Sequence, residues 1–290
     1  MKIGVYGLLW TSGITVNDLF VLDKCRQFDL DGIEVPLLSY MHEKLPIAQL
    51  KAKAADLGLK LITSTGLEEK TSIISDQKKT RERGKDFLRK CIDIAHELGS
   101  DELSGVIYAP WAVLKGRRRT DWEYKNCVDS LREVAEYART AGVYLCCEPV
   151  NRYEGYFLNT AEQGKELLKD IGHEHVKLHL DSFQMNIEEQ SMYGAVKTAG
   201  RDLYHFHVCE SHRGIPGTGH VEWDEIFKAF AEIGYDNWLV IESFAPNNPQ
   251  IGANVCIWRD LAESSDAIAK EGSDFLRRML AKRADGGRRS

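Results

Sequence analysis

The stretch VYLCCEPVNRYEGYFLNTAEQGKELLKDIGHEHVKLHLD, residues 143–181, contains one complete strand–helix–strand unit. Apolar, β-prone runs at its two ends predict strands over Tyr144–Glu148 and Val176–Asp181. Between them, a helix is predicted to begin after Thr160, whose hydroxyl is a favourable N-cap. It is predicted to end at Gly172, because glycine adopts the left-handed backbone that closes a helix. A unit of this kind joins two parallel strands.

The same unit recurs along the chain. Short strand candidates lie at Ile3–Tyr6, Gly32–Val35, Leu59–Ser64, Leu103–Ile107, Tyr144–Glu148, Val176–Asp181, Leu203–Val208 and Trp238–Glu242. Seven helical segments are predicted between them, and another around Ser273–Leu280. Six helices are predicted to end in an apolar residue followed by glycine, at Gly58, Gly99, Gly142, Gly172, Gly200 and Gly234. Eight such units favour a closed (β/α)8 TIM barrel of the α/β class over an open, doubly wound sheet.

Length and composition agree with one large core. The 290 residues are 43% hydrophobic, and no linker-like or low-complexity segment divides them. We therefore expect a single domain over residues 1–290, with a frayed tail from about Ala284. No GxGxxG motif follows the first strand and no GxxxxGK[ST] motif occurs, which disfavours nucleotide-binding folds.

Charge and cysteine usage restrict the partners and the compartment. A formal net charge of −6 argues against binding to duplex nucleic acid, which needs a basic face. The basic run Lys115–Arg119 is interpreted as solvated surface, with a phosphate-binding role for Arg117–Arg119 as the alternative. No apolar run reaches the roughly 20 residues of a membrane span. Seven cysteines and the absence of a signal-peptide pattern predict a cytoplasmic protein.

Four side chains able to bind a metal stand at the ends of four successive predicted strands. They are Glu148, Asp181, His207 and Glu242. In a parallel barrel the carboxyl ends of the strands open at one face, so the four groups should converge there. Three carboxylates and one imidazole form a hard, oxygen-rich donor set that suits manganese, magnesium or cobalt. We therefore predict one divalent cation per subunit.

Two further histidines should lie below this site. His205 projects to the same strand face as His207 but deeper in the barrel, and His179 precedes Asp181 by two residues. Both are predicted to support the metal ligands rather than to bind the ion.

Motifs in four segments resemble those of the ketose 3-epimerases, the D-tagatose 3-epimerase and D-psicose (D-allulose) 3-epimerase group of xylose-isomerase-like barrels. The segments are EPVNRYEGYFLNT at 148–160, LDSFQMNIEE at 180–189, HFHVCESHRGIPGTGHVEWDEIF at 205–227 and VIESF at 240–244. Their joint occurrence is highly specific, and the likeness extends over nearly the whole chain. The resemblance implies a manganese or cobalt enzyme that is a homodimer or homotetramer.

The resemblance also implies roles for individual residues. Glu148, Asp181, His207 and Glu242 match the metal ligands, and Glu148 and Glu242 also match the two catalytic carboxylates. Residues matching the substrate pocket are Tyr6, Gly66, Trp111, Glu154, Arg213 and Phe244. Tyr6, Trp10, Trp111 and Phe244 are expected to exclude water. One position departs from the family: Gln184 replaces a histidine that hydrogen-bonds the sugar, and glutamine cannot carry a charge.

The predicted reaction is metal-dependent inversion of C3 in free ketohexoses of the D-tagatose, D-psicose and D-fructose type. Glu242 and Glu148 would remove and return a proton through a cis-enediolate. An aldose-ketose isomerase and a 3-keto-sugar lyase or dehydratase are the nearest alternatives, because they use a similar site. An endonuclease IV type phosphodiesterase would need more histidines for its zinc cluster, and a sugar-binding protein without activity is the last alternative.

Overall fold

Eight parallel strands close into a barrel in which the order of neighbours follows the order of the chain. This computed structural model describes residues 1–38, 45–244, 252–253 and 255–286. The strands are β1 Lys2–Tyr6, β2 Gly32–Pro36, β3 Lys60–Ser64, β4 Glu102–Gly105, β5 Tyr144–Cys147, β6 Val176–Asp181, β7 Leu203–Val208 and β8 Trp238–Ile241. Strand β1 pairs with both β2 and β8, so the first and last strands seal the barrel. The predicted (β/α)8 architecture is confirmed.

Helices cover the outside of the barrel. They are α1 Phe20–Gln27, α2 Ile47–Leu57, α3 Lys78–Leu98, α4 Asp121–Ala141, α5 Ala161–Ile171, α6 Ser182–Glu188, α7 Met192–Ala199, α8 Trp223–Ile233 and α9 Ser265–Gly286. Two helices, α6 and α7, connect β6 to β7 where the sequence predicts one. Helix α9 is longer than predicted, and the end of the predicted frayed tail lies outside the described residues.

Local sequence explains where most helices begin and end. The hydroxyls of Thr120 and Thr160 cap α4 and α5, each accepting a hydrogen bond from a backbone N–H of the first turn. Five of the six predicted glycine stops adopt left-handed backbone. Gly200 does not: its φ of 55° and ψ of −134° lead into a 3-10 turn instead, so that part of the prediction is wrong.

The lower end of the barrel is filled by an aromatic side chain. Trp238, at the start of β8, is 2% exposed and packs with Ile62 and Val240. A Cβ at Gly32 would lie 2.8 Å from the Trp238 ring and 2.4 Å from the Lys60 carbonyl oxygen. Glycine at this position therefore lets the indole close the barrel.

No helix in the described ranges is both long and apolar enough to cross a membrane.

Candidate active site

The four predicted metal-binding side chains meet at the carboxyl ends of the strands. Glu148 follows β5, Asp181 ends β6, His207 lies near the end of β7 and Glu242 follows β8. Glu148, Asp181 and His207 each place a ligand atom within 4.8 Å of the others. Ligand atoms of Glu242, Asp181 and Cys209 also lie within 4.8 Å of one another. Glu242 Oε1 is 3.5 Å from His207 Nδ1. The four side chains therefore converge as the sequence predicts.

A cavity of about 570 Å³ opens above this cluster. All seven residues predicted to contact a substrate line it: Tyr6, Gly66, Trp111, Glu154, Gln184, Arg213 and Phe244. Glu148, His207 and Glu242 line it as well. Trp10 has a different environment, since its indole N–H donates to Asp266 at 2.9 Å and its ring stacks on Phe28. The expectation that Trp10 excludes water from the site is therefore not met.

Arg213 contributes a guanidinium group to the cluster of Glu148, Asp181, His207 and Glu242. It donates hydrogen bonds to Asp181, at 3.2 Å, and to Glu242, and its Cζ lies 3.9 Å from the centre of the Phe183 ring. Its backbone has a φ of 64°, a left-handed conformation that is uncommon outside glycine. The Ser243 hydroxyl donates to the Arg213 carbonyl oxygen at 2.6 Å and so helps to hold this conformation.

The two glutamates have opposite protonation preferences. The pKa of Glu148 is raised well above its usual range, mainly by burial. Burial also opposes the ionisation of Glu242, but Arg213 and His207 outweigh it and lower the pKa of Glu242 to about 2. A pair of carboxylates separated in this way can serve as acid and base. Burial, partly offset by Arg213, raises the pKa of Asp181 to about 7.

The donor set fits a hard divalent cation. The cluster holds three carboxylates, two of which contact its guanidinium, so two negative charges are in excess over Arg213 when all three are ionised. His207 Nδ1 is buried and has no hydrogen-bond partner among the described residues. Oxygen-rich sites with one imidazole suit manganese, magnesium or cobalt.

Gln184 is engaged by protein groups on both sides of its amide. Its Oε1 accepts hydrogen bonds from the backbone nitrogen of Asn151 at 2.8 Å and from Asn151 Nδ2 at 2.5 Å. Its Nε2 donates to Glu154 Oε2 at 3.3 Å. Trp111 Nε1 donates to the same Glu154 oxygen at 3.1 Å, and Asn151 Nδ2 donates to Glu154 Oε1 at 2.8 Å. Glu154 is thus oriented by three neighbours at the wall of the cavity.

Two buried acids, one in the floor of the cavity and one beneath it, were not predicted from the sequence. Glu34 in β2 and Glu102 in β4 are fully buried and contact His205, which the sequence places correctly below His207. Glu34, a charged residue inside the apolar run of β2, was an available signal, whereas Glu102 begins β4 directly after Asp101 and gave none. His179 is also buried, 3.8 Å from Glu148 Oε2, and neither of its ring nitrogens has a hydrogen-bond partner in the part of the chain that is described.

The basic run has a structural explanation. Arg117 donates to both carboxylate oxygens of Glu123, and Arg119 donates to the Phe157 carbonyl oxygen and lies over the Tyr124 ring. These contacts occupy the two guanidinium groups.

Comparison with known proteins identifies the family. The profile of the xylose isomerase-like TIM barrel family matches residues 22–279. A D-psicose 3-epimerase of Ruminiclostridium cellulolyticum is 34% identical, over 97% of this chain and 98% of that protein. An L-ribulose 3-epimerase of Mesorhizobium japonicum is 34% identical, over 95% and 93%. The crystal structure of a D-allulose 3-epimerase from Methylomonas sp. in complex with D-allulose has a TM-score of 0.91 at 30% identity, covering 96% of this chain and 97% of that one.

The fold and these likenesses define a member of the xylose isomerase-like TIM barrel family. Within that family the chain belongs to the ketose 3-epimerases, and it is an epimerase that acts on carbohydrates. The resemblance found in the motifs is confirmed.

Proposed function

We propose that this protein inverts C3 of free ketohexoses with the help of one divalent cation. The observation that carries the proposal is the pair Glu148 and Glu242, which follow the non-neighbouring strands β5 and β8 and border one cavity. Inversion next to a ketone needs a base on one side of the carbon and an acid on the other. In one direction Glu242 removes the C3 proton and Glu148 returns one to the opposite face. In the reverse direction the roles exchange.

Glu148, Asp181, His207 and Glu242 would hold the cation, with manganese first and cobalt or magnesium as alternatives. When bound, such an ion draws charge from sugar oxygens and so stabilises a cis-enediolate. Arg213 and Glu154 are placed to bind sugar oxygens, because both line the cavity and both carry strong hydrogen-bonding groups. Tyr6, Trp111 and Phe244 would exclude water, and Gly66 leaves space in the wall.

Relatives support a ketose as substrate. Their names include D-psicose and L-ribulose 3-epimerase, and one solved relative holds D-allulose. We propose ketohexoses of the D-tagatose, D-psicose and D-fructose type, a homodimer or homotetramer, and a cytoplasmic location. Light scattering coupled to gel filtration measures the assembly.

The central test is product analysis by NMR in deuterated water. The manganese-loaded protein is incubated separately with D-fructose, D-tagatose and a 3-keto glycoside. We expect the C3 epimer of a ketohexose, with deuterium at C3. An aldose product with deuterium at C2 would indicate the isomerase instead, and an eliminated product from the 3-keto glycoside would indicate the lyase or dehydratase.

A further inference from the structure

A line of four buried side chains crosses the barrel interior from the floor of the cavity downwards. His207 Nε2 is hydrogen-bonded to Glu34 Oε2 at 2.9 Å. His205 Nε2 lies 3.0 Å from the same oxygen, and His205 Nδ1 is hydrogen-bonded to Glu102 Oε1 at 2.8 Å. His207 is 3% exposed and the other three are fully buried. The order of contacts is therefore Glu102, His205, Glu34 and His207.

The strand geometry explains this line. His205 and His207 are two residues apart on β7, so both side chains point to the same side of the sheet. Glu34 lies on β2, in register with Tyr6 of β1 and Ile62 of β3. Because β2 and β7 are not neighbours in the sheet, the contact between Glu34 and His207 reaches across the barrel.

The contact decides which nitrogen of His207 carries the proton. An ionised carboxylate only accepts hydrogen bonds, so the ring nitrogen bonded to Glu34 must be the donor. Nδ1 then keeps its lone pair. This is the nitrogen that lies 3.5 Å from Glu242 Oε1 and has no hydrogen-bond partner in the described ranges. A histidine that binds a metal needs this arrangement, with one nitrogen free and the other held by a carboxylate.

We propose that Glu34 is a positioning residue that holds His207 in the orientation and tautomer required to bind the catalytic cation. His205 and Glu102 complete the support by fixing Glu34 from below. The inference rests on the proposed function, since it presumes that His207 is a metal ligand. Glu34 also lines the cavity, but the role assigned to it is exerted through His207.

The test compares Glu34→Gln with a matched control, Glu102→Gln. Both substitutions remove one buried carboxylate of nearly the same shape, but only the first touches His207. The amide of Glu34→Gln can present either its oxygen or its NH2 group to Nε2, so it no longer selects one tautomer. We expect Glu34→Gln to bind Mn²⁺ about 10–100-fold more weakly, measured by calorimetry and by the EPR signal of free Mn²⁺. The Mn²⁺ affinity of Glu102→Gln should fall by a clearly smaller factor.

Kinetics provide a second readout. At saturating Mn²⁺ the KM of Glu34→Gln for the sugar should stay near that of the unsubstituted protein, because the loss concerns the cation. Equal Mn²⁺ affinity of Glu34→Gln and the unsubstituted protein would overturn the proposal. An equal loss in both variants would also overturn it, because it would show that any buried charge suffices.

A measurement on the unsubstituted protein covers the case in which Glu34→Gln does not fold. In the Co²⁺-loaded protein, NMR should show a paramagnetically shifted imidazole N–H resonance that exchanges slowly with water, as expected for Nε2–H buried against Glu34. Rapid exchange of that resonance would refute the assignment. If the unsubstituted protein bound neither Mn²⁺ nor Co²⁺, the metal dependence proposed above would fail too. If the protein bound the metal and epimerised the sugar but showed no slowly exchanging N–H resonance, only the proposed role of Glu34 would fail.

Discussion

Gln184 accepts hydrogen bonds from both the backbone and the side-chain nitrogen of Asn151, at 2.8 and 2.5 Å. A backbone N–H only donates, so the atom that faces it must be the amide oxygen, and the amide nitrogen must face Glu154. Gln184 therefore acts on the cavity wall largely through Glu154. Protein groups thus hold both the oxygen and the nitrogen of the Gln184 side chain.

Replacing Gln184 by histidine should change the preference among ketoses. The imidazole cannot supply the same acceptor to Asn151 together with an NH2 group for Glu154, so Glu154 would shift. A hydrogen bond to a charged group contributes about 1.5–3 kcal/mol, which corresponds to about tenfold or more in kcat/KM. The ranking of kcat/KM across D-fructose, D-tagatose and D-psicose measures the effect. An unchanged ranking would show that this position does not select the sugar.

Replacing Glu148 or Glu242 by glutamine should stop the reaction at C3. The amide keeps the shape of the side chain but cannot accept or return a proton, and positioned proton transfer contributes about 10²–10⁴ in rate. Conversion of either C3 epimer into the other, followed by NMR, should fall by at least this factor in each variant. Glu136→Gln on the exposed side of α4 is the control and should epimerise normally. Normal epimerisation by either active-site variant would refute the assignment of the two bases.

Removing the cation should abolish turnover reversibly. Chelation is expected to stop epimerisation, and added Mn²⁺ should restore it. Because the ion binds only the folded site, Mn²⁺ at 100 times its Kd should add about 2.7 kcal/mol to the free energy of unfolding. Thermal unfolding with and without Mn²⁺ measures this gain. Asp181→Asn should lose most of this stabilisation by Mn²⁺. Turnover that persists after exhaustive chelation would contradict the proposal.

Glu123 should make the stability of the fold dependent on pH in the acid range. The hydrogen bond from Arg117 is the main cause that lowers the pKa of Glu123 to about 2, and burial opposes it. A carboxyl whose pKa is lower in the folded state stabilises the fold above its unfolded pKa of about 4.5, and this contribution is lost as the pH falls towards 2.

The test is the difference in free energy of unfolding between the unsubstituted protein and Glu123→Gln. We expect about 1–2 kcal/mol at pH 7, because a helix cap and a charge-assisted hydrogen bond are lost. The difference should shrink when urea unfolding is repeated at pH 3.5. Glu162→Gln, an exposed glutamate in the first turn of α5, is the control and should show a much smaller difference. A difference for Glu123→Gln that is independent of pH would contradict this explanation.

Local patterns in the sequence were sufficient for the architecture and for the residues that surround the cavity. Glycine stops such as Gly172 mark the repeat, and a strand-end position is enough to bring Glu148 and Asp181 together. The contact between Glu34 and His207 could not be predicted in this way, because it joins strands on opposite sides of the barrel. Likewise, the backbone of Gly200 depends on how α7 meets β7, which neighbouring residues do not determine.

The pairing of β1 with β8 has a consequence for how the protein folds. Glu242 follows β8, which pairs with β7 and also with Lys2–Val5 of β1. Contacts so distant along the chain form late and slowly. Closure of the barrel is therefore a late step, and Glu242 reaches its place beside the cavity only when that step is complete.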